Sequence, residues 1–66
     1  MNSFSKVRHS IAFGNLWKTA ADISAETGIG RNEVIAELDA IRLAHGVSVK
    51  ATDAGDAYAM TARIPA

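Results

Sequence analysis

DISAETGIGRNEVIAELDAIRLAHGV, residues 22–47, is the stretch that decides how this chain folds. At about 100° per residue, Val34, Leu38, Ile41 and His45 fall in one narrow stripe, with Ile35 on its shoulder. Asn32, Ala36, Asp39 and Leu43 lie on the opposite side. The spacing predicts a helix over 31–45 that buries one face. Glycines bracket it. Gly28 is the residue type best able to take the positive φ that ends a helix, and Gly46 is the matching stop for the later one. Between the two helices, Ile29 turns inward and Gly30 opens the second.

Working back from this core, Thr19 fits an N-cap. Its hydroxyl can accept a backbone N–H, and Asp22 three residues on resembles a capping box with Asp in place of Glu. A helix over 20–27 follows. Earlier still, Phe4, Val7 and Ile11 recur at helical spacing and predict a first helix over 4–13, stopped at Gly14-Asn15. Leu16 and Trp17 read as a short extended apolar link. Phe4, Phe13 and Trp17 adjoin the apolar stripes and are read as core.

Beyond Gly46 the period changes from helical to two. Val47, Val49 and Ala51 alternate with Ser48, Lys50 and Thr52, as in a half-buried strand over 47–52. Asp53-Ala54-Gly55-Asp56 reads as a hairpin turn with glycine at the positive-φ position, and a return strand over 57–64 would align Tyr58, Met60, Ala62 and Ile64 on one face. Two short strands do not stand alone in water, so the hairpin must lie on the helices. The expected core is Ile23, Ile29, Val34, Leu38, Ile41, Val47, Val49, Tyr58 and Met60.

Composition narrows the function. With 66 residues there is room for one domain and a thin core, and self-association is a common remedy for that. No cysteine is present to supply a disulfide or a thiolate metal ligand. His9 and His45, on different elements, do not make a metal site. Neither an apolar run long enough to span a bilayer nor the apolar stretch of a signal peptide occurs, so a cytoplasmic location is expected. No glycine-rich phosphate loop, nucleophile elbow or His-Glu-x-x-His is found, and Glu33 and Glu37 share a helix face with no pocket to shift their pKa. The chain does not read as an enzyme, and no cofactor is expected. Seven basic and seven acidic residues cancel, but unevenly. Lys6, Arg8, His9 and Lys18 make the start basic, whereas Asp22, Glu26, Glu33, Glu37 and Asp39 gather in the middle.

Three helices followed by a hairpin, carried on Asp22–Val47, resembles the winged helix-turn-helix superfamily, without pointing to one family within it. The resemblance lies in an apolar residue in helix two and in Gly28-Ile29-Gly30-Arg31 at the turn. It continues through apolar Val34, Leu38 and Ile41 to the glycine that opens the hairpin, Gly46. It implies an α+β fold: a three-helix bundle with a helix-turn-helix, then a two-stranded β-hairpin wing, as one domain over 1–66. It further implies a small sequence-specific DNA-binding transcriptional regulator working as a dimer, with helix 31–45 in the major groove. Arg31, Asn32, Glu33 and Ala36 would face bases, and Lys18, Lys50 and Arg63 phosphates. The rival reading is a protein–protein interaction module of the same fold that does not bind DNA. Glu33, Glu37 and Asp39 on the helix, and Asp53 and Asp56 at the hairpin tip, favour the rival; the basic start and Arg31-Asn32 favour double-stranded DNA.

Overall fold

The computed structural model describes residues 1–65 and contains three helices and a three-stranded antiparallel sheet. In chain order these are α1 (Ser3–Ala12), β1 (Lys18–Thr19), α2 (Ala20–Thr27), α3 (Arg31–Ala44), β2 (Val47–Thr52) and β3 (Gly55–Met60), with a 3-10 turn at Thr61–Arg63. The strands lie in the order β1-β3-β2.

Local chemistry sets the helix ends. Asn2 caps α1, its Oδ1 accepting from Ser5 N at 2.8 Å. The capping box of α2 is complete: Thr19 Oγ1 accepts from Asp22 N at 3.1 Å, and Asp22 Oδ2 from Thr19 N at 3.0 Å. Gly28 closes α2 at φ 76°, the left-handed conformation that favours glycine. The turn into α3 is held by side chains as well. Ser24 Oγ donates to Ile29 O at 2.6 Å, and Ile29 N donates to Thr27 Oγ1 at 3.2 Å, while Ile29 itself is buried. These bonds fix where α3 starts relative to α2.

The core gathers Val7 and Ile11 of α1, Ala20 and Ile23 of α2, Ile29, Val34, Leu38 and Ile41 around α3, and Tyr58 of β3. Phe4, Val47 and Met60 pack half-buried against it. Several sequence expectations change here. Val49 is 37% exposed, because its place on β2 is at the sheet edge, not over the helices. Phe13 is 60% exposed; it sits where α1 has ended, and its ring lies 4.6 Å from that of His9. Trp17 is half-buried outside the main core, with Lys50 Nζ 4.4 Å above its ring. His45 lies outside the buried stripe, since α3 stops at Ala44 and His45 takes an extended backbone. Gly46 ends nothing by a positive φ; its carbonyl accepts from Thr61 N instead.

The expected two-stranded hairpin is a three-stranded sheet. The extended link at Leu16-Trp17 continues into Lys18–Thr19, which pairs antiparallel with Tyr58 and Ala57. That pairing covers an edge of β3 that a hairpin would leave open. As the central strand, β3 buries Ala57 and Ala59 as fully as Tyr58. The return strand is also shorter than expected. It ends at Met60, and the next residues coil into the 3-10 turn, where Ile64 N donates to Thr61 O. The hairpin turn itself has Gly55 at φ 109°, as the sequence led one to expect.

Candidate nucleic-acid interface

The residues singled out from sequence fall into two groups, and only one is free to meet a ligand. Lys18 belongs to the other. Alternation along β1 sets it beside Tyr58 on the core side, and it is 5% exposed. Its ammonium donates to Ser10 O at 2.6 Å, Phe13 O at 3.0 Å and Glu26 Oε2 at 2.7 Å. The Lys18 hydrogen bond, opposed by partial burial and helped by one from Ser10, holds the Glu26 carboxyl below its ordinary pKa. Arg63 is engaged in the same region. Its guanidinium donates to Ile11 O at 3.0 Å and Gly14 O at 2.5 Å, with a longer contact to Asn15 O. Two cations from later in the chain thus cap the carbonyl end of α1, where the helix dipole is negative and carbonyls lack intrahelical donors. Neither is placed for phosphate.

Glu33 is turned away from the outer side of α3. Its carboxylate accepts from Ser3 Oγ at 2.5 Å, tying the start of α3 to the start of α1. Lys50 is exposed but rests on Trp17, on the side of the sheet facing away from the core.

Arg31, Asn32 and Ala36 remain together, all exposed on the first two turns of α3. Neither Arg31 nor Asn32 has a side-chain hydrogen bond or ion pair among the described residues. Gly30 at the N-cap offers no side-chain acceptor, so the first N–H groups of α3 stay open, unlike those of α1 and α2. Arg31 and Ile35 form one wall of a cleft of about 150 Å³ whose other walls include Thr19, Gly55, Asp56 and Tyr58. The hairpin tip therefore stands beside the start of α3. That proximity was hidden in the sequence, because it depends on β1 anchoring β3 next to the N-terminus of α2. Arg42, exposed on α3 with Asp39 and Leu43, also escaped the sequence reading; its 100° phase, near that of Arg31, was the available signal.

No helix among the described residues is long and apolar enough to cross a membrane. Comparison with known proteins finds no matching family model, curated protein or solved structure.

Proposed function

We propose that this domain is a winged helix-turn-helix module that binds double-stranded DNA and regulates transcription, with the first two turns of α3 entering the major groove. One observation carries the reading: Arg31, Asn32 and Ala36 are the residues of the expected set that are exposed, adjacent and free of internal partners. The uncapped start of α3 adds N–H groups and a dipole that favour a phosphate oxygen. Arg31 suits a phosphate or a guanine edge, and Asn32 an adenine edge. The hairpin beside the cleft is the wing, and β2 and β3 place its tip next to Arg31.

With Lys18 and Arg63 used internally, one subunit offers few cations on this side, chiefly Arg31 and Arg42. Non-specific affinity is therefore weak, with a salt slope of roughly −2 per subunit. Titration of a labelled random duplex at about 50 mM and 200 mM salt tests this. Arg31→Ala should weaken binding and flatten the slope by about one phosphate contact. A slope indistinguishable from zero, or negligible binding at low salt, sinks the proposal. The rival reading, a protein-interaction module, draws on Leu43, which is 93% exposed on α3. It predicts no response of duplex binding to Arg31→Ala.

A further inference from the structure

The C-terminal half of α3 presents Asp39, Arg42 and Leu43 around a shallow depression, with Leu43 93% exposed. Ala36 and Leu43 point outward on one side of the helix, and Ala40 lies half-buried beside them. Asp39 and Arg42 flank that small-residue surface on the side nearer the hairpin. None of these side chains makes an ion pair or hydrogen bond among the described residues.

We infer that this patch is the contact between two copies of the chain, packed as antiparallel α3 helices about a two-fold axis. The argument is charge complementarity of the patch with itself. In an antiparallel pair, like flanks meet like flanks, and an axis between residues 39 and 42 sets Asp39 of each copy opposite Arg42 of the other. Leu43 then covers the small surface at Ala40 of the partner. The obvious competitor is the basic outer side of α1, with Lys6, Arg8 and His9. It suits Asp39 but repels Arg42, and such a head-to-tail contact does not close into a dimer.

The helices overlap over 37–44, on the same outer side of α3 that carries Asn32 and Ala36, so pairing of two copies and insertion into a groove compete for that side. That competition rests on the DNA-binding reading; the dimer does not. Two turns of helix bury less than the roughly 1,200 Å² of a standard interface, so the dimer is weak.

Sedimentation equilibrium of the full chain without DNA, up to about 1 mM, reads the dimer directly. Asp39→Arg sets Arg against Arg, and Arg42→Asp sets Asp against Asp, so each variant alone should weaken dimerisation by about tenfold or more. Mixed in equal amounts, the two variants should form a heterodimer, because both cross-pairs become opposite in sign. The double variant Asp39→Arg/Arg42→Asp should dimerise like the wild type. Far-UV circular dichroism checks that every variant is folded. A wild-type chain that stays monomeric throughout overturns the inference. So does growth into open oligomers, or a failure of the mixed variants to associate. Because no DNA is present, each result stands apart from the fate of the DNA-binding proposal.

Discussion

Replacing Lys18 by Met isolates the cation that closes α1. The change keeps most of the aliphatic stem packed beside Tyr58 and removes only the ammonium. Ser10 O and Phe13 O, which accept at 2.6 and 3.0 Å, then lose a charged donor in a region where Ser10 is 2% exposed. A hydrogen bond from a charged group contributes about 1.5–3 kcal/mol. The Glu26 side chain is 50% exposed, so its ion pair adds little, about 0–1 kcal/mol. The total is about 1.5–4 kcal/mol, or a fall of roughly 10–30 °C in Tm for a domain of this size. Urea unfolding followed by circular dichroism measures it. Glu26→Gln should cost about 1 kcal/mol or less, since Lys18 keeps both carbonyls. The pH dependence has a definite sign. The Lys18 ammonium holds the folded Glu26 pKa below the ordinary carboxylate range, so the stability from this pair is complete above that range. It is lost as pH falls through the lower folded pKa. The gap between wild type and Lys18→Met should therefore narrow in acid, whereas Glu26→Gln should lack that component. Lys18→Met within about 0.5 kcal/mol of wild type at neutral pH, a typical surface effect, refutes the capping role.

Arg63→Gln removes the donors to Ile11 O and Gly14 O and should cost about 1–2 kcal/mol, with faster amide hydrogen exchange confined to the last turn of α1. Thr19→Ala breaks the capping box of α2 and should cost about 1 kcal/mol in the same urea assay. Asp53→Asn with Asp56→Asn removes two negative charges from the hairpin tip while keeping turn-forming side chains. Duplex affinity should rise, most at low salt, where screening lets the repulsion reach farthest; unchanged affinity argues against a wing near DNA.

The parts of the fold legible in the sequence are those governed by neighbours in the chain. The stripe of Val34, Leu38 and Ile41, the Thr19–Asp22 capping box, and the positive φ at Gly28 and Gly55 are local, and each stands where expected. What escaped depends on distant partners. β1 is only two residues long, too short for a period, and exists because β3 offers an edge for Lys18–Thr19. Once it forms, alternation turns Lys18 inward, and a residue expected at phosphate becomes a cap on α1. Arg63 follows the same logic across 52 residues to Ile11. Charge alone could not separate solvated cations from buried ones. Glu33, too, was placed by its helix phase near the outer side, and only the position of Ser3 shows which neighbour it meets.

We propose that the first turns of α3, beside the hairpin tip, meet DNA. Backbone amide chemical shifts recorded while a duplex is added at low salt test it residue by residue. The largest changes are expected at 30–36 and at the tip, 53–56, with little change on the outer side of α1 at Lys6, Arg8 and His9. Changes centred on α1, or none at any duplex concentration, would contradict it.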